Sequence, residues 1–420
     1  MNYFKKFFIK DKSLIIFDQA IVSGSNFILG ILIARFLGIT EFGVFTLIWM
    51  VIMFINSIQL SFIINPMMTF SHKQNKYKRK YFFSSLFILQ IAFSLLSVLL
   101  TMIGLIIINY FYPELNLRGF SIYFIIVLFF TQIQDFIRRF FFVENKIEKA
   151  LFSDFITYIL RLIFLLILFY FYKPSLEIVF LSIILSLLIS IIYSIFSYNF
   201  LQYFNLKKKN YLIKVFIENW NFSKWLVASS VFLWTSGNYF IIVAGVILGP
   251  FSVGVIKAMQ NIVGISHILF QAFENFVPID ASKIFLKNKL KGLNQYLLKF
   301  TLFGGIGLIF LFSLIYIFSE NLILLLYGDK YIQYVNILNL YLIVYILNFL
   351  AIPLTIGLRT IEYTKPVFLS YIITTILSFM LANKFVDNFN LNGILYGIII
   401  VQMTRVLILF LSYKKGRFKK

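Results

Sequence analysis

Residues 37–43 read Leu-Gly-Ile-Thr-Glu-Phe-Gly, and residues 248–254 read Leu-Gly-Pro-Phe-Ser-Val-Gly. The pattern Leu-Gly-x-x-x-x-Gly therefore recurs 211 positions along a chain of 420 residues. A second pair keeps nearly the same offset: Gln59 and Pro66 stand seven apart, as do Gln271 and Pro278, 212 positions later. With only seven prolines in the chain, duplication accounts for this better than coincidence. Each Leu-Gly falls where two long apolar runs meet. Glycine suits a tight turn there, because it takes backbone angles barred to other residues and lets helices approach closely. Each proline falls towards the far end of the following run, where it is expected to end the helix.

The runs themselves set the class. The chain is 61% hydrophobic and only 13% charged. A soluble fold cannot enclose so much apolar surface, whereas lipid imposes no such limit. A bilayer core about 30 Å thick is crossed by roughly 20 mostly apolar helical residues. Runs that qualify lie near 13–36, 44–67, 81–109, 119–137, 150–171, 176–200, 220–248, 252–279, 296–319, 332–358, 366–386 and 391–412. The first is too long for a signal peptide, carries Asp18 and lacks a small-x-small cleavage site, so it is expected to be retained. Cysteine is absent, which removes disulfide frameworks and thiolate metal sites.

A formal charge of +22 ordinarily points to nucleic acid. Here the basic residues sit in short loops between apolar runs, and they alternate. Thirty of the 38 Lys and Arg residues fall in the amino terminus, the carboxyl tail and the loops after the second, fourth, sixth, eighth and tenth runs. The intervening loops hold only Arg118, Lys173, Lys330 and Lys384. Basic loops stay cytoplasmic, so both termini are expected there, and no nucleic-acid partner is needed to explain the charge. Six spans return a chain to its starting side. A six-span unit repeated once gives two like-oriented halves, 1–205 and 206–420, related by an axis along the membrane normal and enclosing a cavity. The expected fold is an all-α polytopic membrane protein of about twelve transmembrane helices in two parallel-repeat six-helix lobes.

Ala34-Arg35-Phe36-Leu37-Gly38-Ile39-Thr40-Glu41-Phe42-Gly43-Val44-Phe45 resembles the Arg-x-Leu-Gly-x-x-x-x-Gly-x-Phe stretch of the polysaccharide-exporter, Wzx-type branch of the multidrug/oligosaccharidyl-lipid/polysaccharide (MOP) flippase superfamily. Arg138-Arg139-Phe140, then Glu144-Asn145-Lys146, Ala150 and Asp154, are similar to a second feature of that branch. The span count and midpoint duplication match as well, although Val246 stands where Arg35 would repeat. The resemblance implies a MATE/MOP-like flippase in the bacterial cytoplasmic membrane. It would carry an undecaprenyl-pyrophosphate-linked oligosaccharide outward by alternating access, for O-antigen, lipopolysaccharide or capsule biosynthesis. The implied partners are that lipid-linked oligosaccharide, membrane lipids and a coupling H+ or Na+, with no cofactor.

With Lys224, Lys299 and Lys384, each within a few residues of a run's end, counted with the adjoining loop, four bases remain inside the runs: Arg35, Arg161, Lys257 and Arg405. A cation at mid-bilayer costs roughly 2.5–3.5 kcal/mol on insertion scales, so such residues usually face a protein interior or a wet cavity. They are candidates for binding the substrate's pyrophosphate or acidic sugars, since Arg grips phosphate with two hydrogen bonds. Arg35 and Lys257, near the outer ends of their runs, can instead snorkel to the interface; Arg161 and Arg405 can instead join structural ion pairs. Asn26 and Asn238, each after a small-residue pair, could face the sugar or bond between helices. Among embedded acids, Glu274 and Asp18 are the ion-coupling candidates. Asp135 and Asp154 fit pairing with nearby bases better.

Two further classes compete. A multidrug exporter of the same superfamily would favour acidic pockets for cationic drugs, against the four embedded bases. A membrane polymerase or acyltransferase needs catalytic groups, and the sequence offers no phosphate-cradling loop, metal cluster or nucleophile–base pair. No catalytic or metal-ligating residue is therefore assigned, and a non-enzymatic role is expected.

Overall fold

The computed structural model describes residues 2–71, 74–111, 119–198 and 209–417. Every element among them is helical. The order is α1 (Asn2–Leu37), α2 (Ile39–Gln59), a π turn (Leu60–Ile64), α3 (Asn65–Phe70), α4 (Lys76–Phe111), α5 (Ser121–Val143) and α6 (Ile147–Phe155). A second π turn (Ile156–Leu160) leads into α7 (Arg161–Phe171), followed by α8 (Leu176–Tyr198), α9 (Lys209–Ile247) and α10 (Pro250–Val263). A 3-10 turn (Gly264–Ser266) precedes α11 (His267–Ile317) and α12 (Ser319–Tyr327). Another (Asp329–Tyr334) precedes α13 (Val335–Thr360) and α14 (Lys365–Arg417).

Ten of these helical stretches are long and apolar enough to cross a membrane, so the chain is multi-pass. The expected twelve emerge once two very long helices are divided. At 1.5 Å rise per residue, α11 with 51 residues and α14 with 53 would each run about 75–80 Å, over twice a hydrocarbon core. Each reverses at one non-helical residue, Lys289 (φ 53, ψ −151) and Asn390 (φ 52, ψ −132). The eighth run is α10, the 3-10 turn and the first limb of α11; the ninth is its second limb. The eleventh and twelfth are the two limbs of α14.

The repeat motifs fold alike. Gly38 (φ +88) joins α1 to α2, and Gly249 (φ +79) joins α9 to α10, both in the region that a side chain disfavours. The second glycine of each motif serves close packing, and does so reciprocally. A Cβ on Gly43 would overlap the carbonyl of Pro250, and one on Gly254 would overlap the carbonyl of Ile39. Positions 39 and 43 thus meet positions 250 and 254, their own repeat counterparts. The prolines depart from expectation, because neither ends its helix. Pro66 lies in the first turn of α3, where its missing N–H leaves no bond unmade after the π turn. Pro278 lies inside α11, which continues past it.

The chain forms two compact units, Met1–Leu37 with Ile48–Val231 and Gly38–Leu47 with Phe232–Lys420. The first is cored by Phe82, Phe83, Leu86, Phe136, Phe140 and Phe141 around the end of α2. The second is cored by Val277, Leu293, Leu297, Leu358 and Leu409, where α11, α13 and α14 meet. Large side chains such as Phe196, Phe303 and Ile306 stay exposed, as lipid permits. Between two lipid-soluble helices burial of apolar area gains little, so small residues and hydrogen bonds hold the bundle. On α8, Ser182, Ser186, Ser190 and Ser194 recur every fourth position and are all buried. Ser190 lies 2.8 Å from Ser153 of α6, oxygen to oxygen.

Candidate functional site

In the first unit a polar stripe runs between α1 and the α6–π turn–α7 span. At one end the guanidinium of Arg138, from α5, bridges two carboxylates. Its Nη2 donates to Asp18 Oδ2 at 2.8 Å and its Nε donates to Asp154 Oδ2. Gln134 Nε2 also donates to Asp154 Oδ1, at 3.1 Å. Asp18 is 2% exposed and Asp154 0%, and the second oxygen of Asp18 is buried without a partner. Two carboxylates sharing one guanidinium leave one negative charge over.

Two turns further along α1, Asn26 Oδ1 accepts a 2.9 Å hydrogen bond from Arg161 Nη2. Asp154 and Arg161 lie on one span, Asp18 and Asn26 on the other, and both pairs advance in the same chain direction. The intervening π turn, Ile156–Leu160, widens the helix by one residue and sets the phase at which Arg161 leaves it. Arg161 is 2% exposed, its Cζ sits 4.9 Å from the Tyr158 ring centre, and its Nε has no partner. No carboxylate of a described residue forms an ion pair with it. It lies about 21 Å along its span from Ile147 and about 15 Å from Phe171, near the middle. Asn26 is exposed, so it extends the polarity of a buried cation to an accessible face of α1.

The remaining candidates scatter. In the second unit Arg405 Nη2 donates to Tyr371 Oη at 2.9 Å and its Cζ lies 4.7 Å from the same ring, with Nε buried and unpartnered. Lys257 donates to Gln260 Oε1 at 3.1 Å, along its own helix. Asn238 is the repeat counterpart of Asn26 but donates back to the Trp234 carbonyl at 2.8 Å, a bond internal to α9. Arg35, in the last turn of α1, is exposed. The side chain of Glu274 lies outside the described residues. Asp135 pairs with Arg139 one turn away at 3.3 Å. Among the described residues no group of three His, Asp or Glu side chains could hold a metal ion.

Arg138 is where the reading of the sequence needs correction. The sequence puts it in a loop because the apolar run ends at 137, yet α5 continues to Val143 and buries its side chain. The signal is present in Asp18 and Asp154, whose combined charge lets the helix carry an arginine inward. A neutral network also escapes the sequence reading: Gln59 Nε2 donates to Gln90 Oε1 at 3.0 Å and to the Gln132 carbonyl at 2.9 Å. All three glutamines are fully buried beside the first π turn. Glutamine carries no charge, so a charge census passes over it.

No protein-family profile matches the chain, and no curated protein does. Solved structures do match along nearly the whole length. A multidrug resistance MATE family transporter of the MOP superfamily, in an inward-facing conformation, aligns with TM-score 0.74 and 14% identity over 96% of this chain and 94% of that one. A mutant form of VcmN, a MATE transporter from Vibrio cholerae, aligns with TM-score 0.64 and 13% identity over 98% and 97%. A MOP superfamily transporter from Pyrococcus furiosus aligns with TM-score 0.61 and 14% identity over 97% and 95%; a reverse polarity of its binding pocket is said to suggest a different function. This chain has the fold of the MATE transporters of the MOP superfamily.

Proposed function

We propose that the chain is a flippase for an anionic lipid-linked oligosaccharide, moving pyrophosphate-linked repeat units across the bacterial cytoplasmic membrane by alternating access. Arg161 carries this reading. It is a mid-span guanidinium enclosed by neutral partners, with Asn26 leading to an accessible face, and an isolated cation in low dielectric is costly until an anion reaches it. Arg405, held by Tyr371, repeats the condition in the second unit, and Lys257 adds a third base without an acidic partner among the described residues. The Asp18–Arg138–Asp154 cluster serves as the coupling site, where a proton neutralises the surplus negative charge.

The multidrug reading draws on the MATE relatives, one of which is described as a multidrug resistance transporter. Bases without acidic partners repel cationic drugs and attract phosphate, which favours the oligosaccharide carrier. The Pyrococcus protein, whose pocket of reverse polarity is said to suggest a different function, shows that the multidrug role does not follow from this fold alone. The deciding experiment reconstitutes the purified chain with a fluorescent lipid-pyrophosphate oligosaccharide and follows leaflet exchange by quencher accessibility. Wild-type protein is expected to accelerate exchange, with Arg405→Ala slower. Acceleration of a cationic dye's transport, with none of the anionic lipid's, would assign the multidrug role instead.

A further inference from the structure

A second site lies wholly in the second unit, far along the sequence from the polar stripe. The last turns of α11, the first turns of α13 and the turn after Asn390 in α14 enclose a cleft of about 720 Å³. That is the size of a small-molecule pocket, typically about 300–1,000 Å³. Its polar lining consists of Ser313, Tyr316, Asn336, Asn339, Asn392 and Tyr396, and no lining residue is charged. The rest is aliphatic or phenyl. Ile309 and Ile317, which border it, are 58% and 69% exposed, so its mouth opens onto apolar surface.

Three asparagines and two tyrosines around an apolar cleft are more polarity than packing alone requires. The carboxamide oxygen of Asn339 is buried without a hydrogen-bond partner. A donor is therefore wanted inside the cleft, and the absence of charge excludes a strongly ionic one from favourable pairing. Amides engage neighbouring hydroxyls in pairs, phenol rings stack on the C–H face of a pyranose, and exposed isoleucines suit acyl chains.

We propose that this cleft holds one lipid bearing an uncharged sugar head, its hydroxyls donating to Asn339 and its tail lying along Ile309 and Ile317. The site stands apart from the flippase reading, and its test measures lipid retention rather than flipping. The full chain in nanodiscs is offered monoglucosyl-diacylglycerol, diacylglycerol or phosphatidylglycerol of identical acyl chains, and lipid remaining on the protein is counted by native mass spectrometry. Monoglucosyl-diacylglycerol should be retained about tenfold better than either comparator, the worth of one or two added hydrogen bonds. Asn339→Leu should erase that preference while the unfolding midpoint holds. If Asn339→Leu fails to fold, Asn392→Leu, at an exposed position, should weaken retention severalfold. Equal retention of diacylglycerol would reduce the cleft to ordinary acyl contact, preference for phosphatidylglycerol would make it an anionic-lipid site, and indifference to both substitutions would remove the amides' role. Each of these three results overturns the proposal.

Discussion

Replacing Arg161 by methionine separates a functional cation from a structural one. The change removes a charge-assisted hydrogen bond to Asn26, worth about 1.5–3 kcal/mol, and a cation–π contact to Tyr158, worth about 1–2. Against this it relieves a mid-span cation whose insertion costs roughly 2.5–3.5 kcal/mol, and the buried unpartnered Nε at about 1–3. Asn26 is exposed and is left hydrated rather than orphaned. The two sides cancel to within about 2 kcal/mol, so folding stability should barely move. Methionine also fills the vacated volume with little rearrangement. The assay pairs the thermal midpoint of detergent-purified protein with flipping in proteoliposomes. The midpoint should shift by no more than a few degrees, while flipping falls by at least about tenfold, the loss of one charged contact to substrate. A midpoint collapse in Arg161→Met that Arg161→Lys repairs, with flipping per folded molecule unchanged, would show that Arg161 is structural and refute the reasoning.

Arg138 should behave oppositely. Arg138→Met leaves two buried carboxylates facing each other and is expected to cost about 3–5 kcal/mol, recovered in part by adding Asp154→Asn; equal loss in the double variant would deny the shared pairing. Gly254→Ala drives a methyl into the Ile39 carbonyl and should destabilise by about 1–3 kcal/mol, whereas Gly237→Ala, with open space around it in α9, should stabilise by up to about 1 kcal/mol. Thermal midpoints of both variants decide this, and like-signed shifts would contradict the crossing geometry. Asp18→Asn removes a carboxylate from the coupling cluster, so flipping should lose its response to an imposed pH gradient while gradient-free exchange persists. A variant that still responds fully moves coupling elsewhere.

Span number and the midpoint duplication are legible in the sequence because hydropathy and glycine spacing are one-dimensional signals. Gly38 and Gly249 can be read as turns because a positive φ has few solutions other than glycine. The turn at Lys289 cannot, since lysine does not advertise that conformation, and Asn390, though of a type that tolerates positive φ, is one asparagine among many in the chain. Helix ends are misjudged wherever charge is taken to mean water. Arg138 is the clearest instance: its run is cut at the charge, but the carboxylates that neutralise it come from 120 residues upstream and 16 downstream. Nor does a sequence reveal π turns, and it is the turn at Ile156–Leu160 that sets the direction of Arg161. Asn26 and Asn238 look equivalent in their small-residue settings, yet one meets an arginine and the other its own helix. Partner choice depends on the neighbouring span, and duplication preserved the asparagine without preserving the arginine.

That divergence bears on mechanism. Both copies keep the backbone features, the glycine turns and the reciprocal crossing of 39 and 43 with 250 and 254, because any change there collides with main chain. The charges are not kept: Val246 replaces Arg35, and Phe62 stands opposite Glu274. A cation and an acidic cluster share the same two spans of the first unit, their partners on α1, Asp18 and Asn26, standing two turns or about 12 Å apart along that helix. The first unit thus gathers Asp18, Asp154 and Arg161 on two adjoining spans, while the second keeps Arg405 with Tyr371, so the two copies differ in the charges they retain and agree in the backbone that carries them.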